Sequence, residues 1–296
     1  MLDVATAPWR ALYPYAAHYA LLPGGQRLHY LDEGSGPAVV LVHGNPTWSF
    51  FFRDLVRELR DAGFRVIAPD HLGCGRSDKP QGWDYRLAGH IANLEFLLWD
   101  HLRLEQCDLV VHDWGGAIGC GVAGRNPARL RRLVAMNTAA FRLPRCPWRL
   151  RVCRTPLLGA LAVRGCNAFA RAAVRMATTR PGGLPPAVRA GYLAPYNSWA
   201  NRIATLRFVQ DIPLASNHPT RATLEAVEQG LTRLADKPLL LLWGMRDFCF
   251  TPAFLAEWRR RFPAATVEEF PNAGHYLLED ARDKVLPRIR EFLQSR

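Results

Sequence analysis

The sequence predicts an α/β protein: a mostly parallel, twisted sheet flanked by helices, with a mostly helical cap inserted into it. Three observations lead there. Short apolar, β-branched runs alternate with longer stretches of helical pattern, and strands apolar on both sides belong in a parallel sheet covered on both faces. The alternation stops between about residues 140 and 236, where Pro and Arg clusters and many aromatics accompany helical patterning without a convincing strand. A chain of 296 residues buries roughly three quarters of its unfolded surface, enough for such a core and an insertion. The expected division is a core of residues 1–140 and 236–296 around a cap of residues 141–235.

The elements follow in order. A first strand is expected at 27–31 (RLHYL) and a second, apolar throughout, at 38–42 (AVVLV). A helix near 51–62 precedes a strand at 65–68 (RVIA), and a helix near 88–102 precedes a strand at 108–111 (DLVV). The small residues of 116–123 read as a helix, and 133–136 (LVAM) as the last strand before the cap. Beyond it come strands at 239–242 (LLLL) and 266–270 (TVEEF), with helices near 252–261 and 284–294. No internal repeat, low-complexity segment or long linker interrupts the pattern.

Composition excludes several classes of function. With 49% hydrophobic and 22% charged residues, the chain is not disordered. It has no apolar run long enough for a spanning helix. Residues 1–20 lack a basic segment leading into an apolar one and are not read as a secretory signal. The net charge of +12 suggests a polyanion, but lysine occurs only at Lys79, Lys237 and Lys284, so 35 of the 38 basic residues are arginine. With abundant Ala, Gly and Pro, that is the mark of a GC-rich coding sequence, and no nucleic-acid partner is expected. If the arginines act, they face an acidic partner, an anionic substrate or a membrane surface, and they are densest over 125–154. The seven cysteines, Cys146 among them, are odd in number and form no C-x-x-C pair. They indicate a reducing compartment, taken as the cytoplasm, and most read as small apolar filler.

The chemistry concentrates in four places. Asp113 ends an apolar strand and precedes Trp114, Gly115 and Gly116. A strand meeting a helix through a sharp turn with small neighbours exposes one side chain above the sheet and aims the next N–H at the reacting centre. A carboxylate there suits attack on saturated carbon to give an alkyl ester, although an Asp before Gly-Gly also serves as a helix cap. Asp247 follows the strand of LLLLWG, and His275 lies just past the last strand. His275, oriented by Asp247, is the candidate general base or proton carrier. The run HGNPTW at 43–48 follows a central strand. Asn45 there offers an N–H and a side-chain amide, Trp114 an indole N–H, and donors beside a carboxylate nucleophile make a site for a departing anion. A turn-forming Asn before Pro is the plainer reading of Asn45.

Two motifs are refused. Gly119 to Gly124 satisfies G-x-G-x-x-G but begins inside a helix rather than opening one, so it reads as close helix packing and not as a dinucleotide site. His112 beside Asp113 is not a metal pair, since neighbours on a strand point opposite ways, and no metal or other cofactor is expected.

HGNPTW (43–48), PDHLGCGRSDKP (69–80), HDWGG (112–116) and the Asp247/His275 pair resemble the haloalkane dehalogenase group of the α/β-hydrolase fold. The order Asp113, Asp247, His275 is that of nucleophile, acid and base in that fold. Within the group, NTAAF (137–141), NAF (167–169), WGMRDFCF (243–250), APYNSW (194–199) and RFVQDIPL (207–214) resemble the β-lactone decarboxylases of bacterial long-chain olefin biosynthesis. The likeness implies a long-chain cis-3,4-dialkyl β-lactone as substrate, a cis-alkene and CO2 as products, and association with the enzymes that make the lactone. Phe141, Tyr196 and Phe248 are the expected lining of an apolar cleft between cap and core, with Leu157, Leu158, Phe169, Tyr192, Trp199, Phe208 and Phe250 as further candidates. The chief alternative is hydrolysis of haloalkanes to alcohol and halide. Tyr192 and Tyr196 also raise epoxide hydrolysis, and a non-catalytic ligand receptor on the same fold is a third reading.

Overall fold

The computed structural model describes residues 7–143 and 147–295. The front of the 1–20 stretch, Arg145 of the arginine-dense segment and Cys146 lie outside them. Among these residues eight strands form one sheet: β1 (His18–Leu21), β2 (Arg27–Glu33), β3 (Ala38–Val42), β4 (Arg65–Pro69), β5 (Cys107–Asp113), β6 (Leu130–Thr138), β7 (Leu239–Gly244) and β8 (Thr266–Phe270). Their order is β1-β2-β4-β3-β5-β6-β7-β8.

All seven expected strands are present, and β1 is additional. It is four residues long at the sheet edge, with only Ala20 buried, too short and too exposed to show a pattern. The sheet is parallel from β4 to β8. At the other edge, β1 pairs antiparallel with β2, and β2 antiparallel with β4. The chain between β1 and β2 is a short turn, with room for a hairpin but not for the crossover that parallel neighbours need.

The central strands bury both faces because both bear apolar side chains. Val39, Leu41, Val110, Leu240 and Leu242 join one cluster with Leu55 and Leu59 of α1 (Arg53–Asp61) and with Val285 and Ile289 near the C-terminus. Val40, Val42, Leu109, Val111, Leu239 and Leu241 join the other, with α2 (Leu87–Glu95), α3 (Trp114–Arg125) and α10 (Pro252–Arg261). The helix expected at 88–102 divides, α2 passing at Phe96 into a wider π-type turn that ends at His101. Gly119, Gly121 and Gly124 lie inside α3. A Cβ at Gly119 would sit 2.7 Å from Val111, and one at Gly121 would sit 2.5 Å from Ile91. Small residues therefore bring α3 against the sheet and α2, and no helix opens at them.

Between β6 and β7 the chain is helical: α4 (Trp148–Cys153), α5 (Leu158–Ala160), α6 (Ala168–Met176), α7 (Pro186–Leu193), α8 (Ile203–Gln210) and α9 (Arg221–Gly230). The last of these returns to α3, where an added Cβ at Gly124 would lie 3.0 Å from Gly230 Cα. After α10 come α11 (Leu277–Asp280) and α12 (Arg282–Gln294). A buried bidentate pair, Arg53 to Glu279 at 2.7 and 2.9 Å, ties α1 to α11. Tyr192 of α7 donates to the same carboxylate at 2.6 Å and so joins the inserted helices to the core. Among the described residues no helix is long and apolar enough to cross a membrane.

Candidate active site

The site begins at the junction of β5 and α3. Asp113 has φ 54° and ψ −126°, a conformation that costs a non-glycine residue roughly 1–3 kcal/mol and must be held by its surroundings. Glycines make the space. A Cβ at Gly44 would lie 2.0 Å from Asp113 Oδ1, one at Gly115 2.0 Å from the Val42 carbonyl oxygen, and one at Gly116 1.9 Å from Thr138 Oγ1. The Thr138 hydroxyl in turn donates to the Asp113 carbonyl. The elbow is thus fitted between the loop after β3 and the end of β6.

The carboxylate is buried. Its Oδ1 accepts the Asn45 N–H at 2.6 Å, and the Trp114 N–H also hydrogen-bonds to it. Burial raises the pKa of Asp113 above the ordinary aspartate value, more than His275 and these two N–H groups lower it. His275 Nε2 stands 3.6 Å from Asp113 Oδ2, and its Nδ1 bonds Asp247 Oδ2 at 2.7 Å. Burial works against a charged imidazole, but Asp247, followed by Asp113, more than offsets it and raises the His275 pKa. The candidate nucleophile Asp113, base His275 and acid Asp247 are therefore brought together from the ends of β5, β8 and β7 along one edge of the sheet.

Two residues that sequence reasoning missed hold this arrangement. Asn137, at the end of β6, donates to Asp247 Oδ2 at 3.0 Å and to the Gly244 carbonyl at 3.1 Å, while its Oδ1 accepts the Gly244 N–H at 2.8 Å. His112 Nε2 meets the His275 carbonyl at 2.9 Å. The Cys249 N–H completes the set, donating to Asp247 Oδ1 at 2.6 Å. A polar residue buried at the end of an apolar strand was the available signal for Asn137.

Asn45 does two things. Its backbone N–H points at Asp113, and its side-chain Nδ2 donates to the Thr205 carbonyl of α8 at 3.1 Å. One of its two amide N–H bonds is thereby committed, and its buried Oδ1 has no partner. Trp114 lies beside it, its ring 5.4 Å from Phe208.

Two apolar cavities meet at these residues. One, of about 160 Å³, runs past Phe141, Leu143, Phe250 and Phe254 to Leu214. The other, of about 210 Å³, runs past Phe169, Ala173 and Phe248 to Arg149 and Met176. Asp113, Trp114, Leu150, Ile212 and Cys249 line both. Asn45 and His275 line the larger.

The expected lining is thus brought together only in part. Phe141, Phe169, Phe248 and Phe250 reach the cavities. Tyr196 does not: it is buried between cap and core, its hydroxyl donating to the Thr47 carbonyl at 3.2 Å. Tyr192 is spent on Glu279, so neither cap tyrosine is placed to protonate an epoxide oxygen. Leu157, Leu158 and Trp199 are on the surface. Helical pattern alone cannot say which face of a short cap helix turns inward. Among the described residues no three His, Cys, Asp or Glu side chains are grouped to hold a metal ion.

Comparison with known proteins agrees with this geometry. The alpha/beta hydrolase fold family matches residues 37–164. A cis-3-alkyl-4-alkyloxetan-2-one decarboxylase of Shewanella oneidensis is 48% identical over 95% of this chain and 89% of its own. One of the same name from Xanthomonas campestris is 44% identical, covering 91% and 93%. Haloalkane dehalogenase 2 of Mycobacterium tuberculosis is 34% identical over 98% and 99%. Among solved structures, the haloalkane dehalogenase DatA from Agrobacterium tumefaciens superposes with a TM-score of 0.83 at 26% identity, covering 96% and 98%. With these likenesses running almost from end to end, the chain belongs to the α/β-hydrolases, in the group that oxetanone decarboxylases share with haloalkane dehalogenases.

Proposed function

We propose that the protein is a carbon–carbon lyase that converts cis-3,4-dialkyl β-lactones (oxetan-2-ones) to cis-alkenes and CO2. The observation that carries this reading is the pair of apolar cavities meeting at Asp113. A substrate with an alkyl chain on each of two adjacent ring carbons needs two arms and one reacting centre between them.

In the proposed mechanism, Asp113 attacks the ring carbon that bears the ring oxygen. A carbon–oxygen bond forms to Asp113 as the ring carbon–oxygen bond breaks with inversion, and the ring oxygen leaves as part of a carboxylate. The Trp114 indole and the uncommitted Asn45 amide N–H receive that carboxylate. The ester then fragments. The carbon–carbon bond to the carboxylate supplies the electron pair of the new double bond, CO2 departs, and Asp113 leaves as its carboxylate. Inversion followed by anti elimination keeps the alkyl chains cis, and no water is consumed. His275, held by Asp247 and cationic over a widened pH range, stabilises the Asp113 carboxylate as it is released.

The intact Asp247–His275 hydrogen bond, with Nε2 3.6 Å from Asp113, also suits activation of a water, as haloalkane hydrolysis requires. A synthetic long-chain cis-β-lactone and a long-chain haloalkane, offered in parallel in heavy-oxygen water, separate the two. The lyase reading predicts alkene, with no label entering Asp113 or CO2 beyond exchange. Rapid halide release with negligible alkene, or label in Asp113, overturns it. The physiological partners of this reading are the enzymes that supply the lactone, and its compartment is the cytoplasm.

A further inference from the structure

Charge is divided along the chain in a way that net composition hides. Residues 114–210 contain sixteen arginines and no aspartate, glutamate or lysine, while the rest of the chain is net negative by four. Many of those arginines therefore lie far in sequence from any carboxylate. Among the described residues, Arg149, Arg151, Arg171 and Arg175 are exposed on α4 and α6, and none takes part in the ion pairs that neutralise arginines elsewhere, such as Arg142 with Glu225 and Arg261 with Glu228.

Of the ten exposed large apolar side chains among the described residues, seven lie in the same part of the chain, residues 148–199. Leu157 is 86% exposed, Leu158 70% and Trp148 67%, with Val152, Leu161, Met176 and Trp199 also outside. Several of them adjoin. The end of α4 meets α5, where an added Cβ at Gly159 would lie 2.3 Å from the Cys153 carbonyl, and Leu161 and Trp199 both border Gly165. Guanidinium groups lie over two of the rings, Arg149 over Trp148 at 5.1 Å and Arg164 over Trp199 at 4.7 Å. Exposed Trp and Leu interleaved with unpaired arginines suit the interface of an anionic bilayer, where rings sit at headgroup depth and cations meet phosphate. The inner side of α4 bears Leu150 and Cys153, which line the larger cavity, and exposed Arg149 and Met176 line it too.

We propose that this face of the cap docks on the anionic surface of a lipid bilayer and presents the larger cavity to it. Docking follows from the surface alone. Delivery of substrate from the bilayer into the cavity rests on the lactone reading above, whose two alkyl chains partition into lipid.

The test is co-sedimentation of the full chain with vesicles of phosphatidylcholine alone, or with added phosphatidylglycerol, at about 50 mM and about 500 mM salt. Binding is expected only to the phosphatidylglycerol vesicles and only at low salt. The combined variant Arg151→Gln, Arg171→Gln, Arg175→Gln should lower the partition coefficient about fivefold per arginine, roughly a hundredfold in all. Leu157→Ser with Leu158→Ser should weaken binding without removing its salt dependence. Both variants should keep the wild-type melting temperature, which separates lost docking from lost folding. Vesicle binding needs no catalysis, so a failed decarboxylase assay leaves this result standing. Equal binding to both vesicle types, or binding untouched by the arginine changes, overturns the proposal. So does retention on a polyglutamate column with no vesicle binding, which would give the face to an acidic protein.

Discussion

If each arm holds one alkyl chain, closing one arm must penalise one chain and spare the other. Ala173→Phe is the perturbation. Ala173 lines the larger cavity and not the smaller. A cavity of about 150 Å³ holds a benzene ring, so the new phenyl group occupies most of the 210 Å³ available. Each methylene buried contributes about 0.8 kcal/mol, or about fourfold in kcat/KM when that burial persists into the transition state. A chain denied four methylenes of burial then loses about 3 kcal/mol, roughly two-hundredfold.

The assay uses two series of cis-β-lactones, each lengthening one alkyl group while the other stays short, with alkene measured by gas chromatography. In the wild type both series should climb about fourfold per methylene until an arm is full. In the variant one series should go flat and the other keep its slope. Both series flattening alike, or neither changing, would refute the two-arm argument, provided the variant melts as the wild type does.

Asp113→Asn should abolish alkene formation and at the same time stabilise the fold. A carboxyl whose folded pKa is raised costs stability once ionised. The gain from removing it should therefore be full above that raised pKa and vanish as pH falls below the ordinary aspartate value near 3.8. A higher melting temperature at neutral pH is expected, and a lower one there would contradict the burial argument. Turnover by the wild type should show an acid limb above the usual carboxylate range, because the nucleophile must be ionised; an acid limb at or below 3.8 contradicts the shift. Glu279→Gln leaves buried Arg53 with only the longer contact to Asp54, at 3.6 Å, and should cost about 3 kcal/mol, or about 5 °C. Thermal denaturation decides it, and a loss under about 1 kcal/mol would mean the pair is effectively solvated.

The central strands were legible because they are short, apolar and buried on both faces, a pattern that no exposed element imitates. β5 and β3 are the clearest, with every residue buried. β1 was not: its four residues, HYAL, are too short a run to show a pattern, whereas β8 at the other edge, also with one buried residue, shows as the five-residue run TVEEF. Asp113, Asp247 and His275 were legible because each follows a strand, and strand ends in such a sheet lie along one edge. Asn137 obeys the same rule but ends a strand beside another strand's acid, a neighbour relation that only pairing of β6 with β7 reveals. Tyr196 was misplaced for a different reason. In an inserted unit made of helices three to ten residues long, a turn of one helix by a quarter-revolution exchanges cavity for seam, and that angle is fixed by packing rather than by period.

Asn45 shows how the two units act as one site. Its backbone N–H holds the Asp113 carboxylate and its side chain holds α8, the helix whose Phe208 packs against Trp114. The two donors proposed for the departing carboxylate are thus both in contact with the same cap helix. A cap displaced from the core would free the Asn45 amide and unseat the Trp114 ring together, dismantling the anion site while leaving the Asp113–His275–Asp247 array in place. On the proposed mechanism the carboxylate departs in the ring-opening step, so the helices that hold Asn45 and Trp114 would act in that step as well as in shaping the cavities.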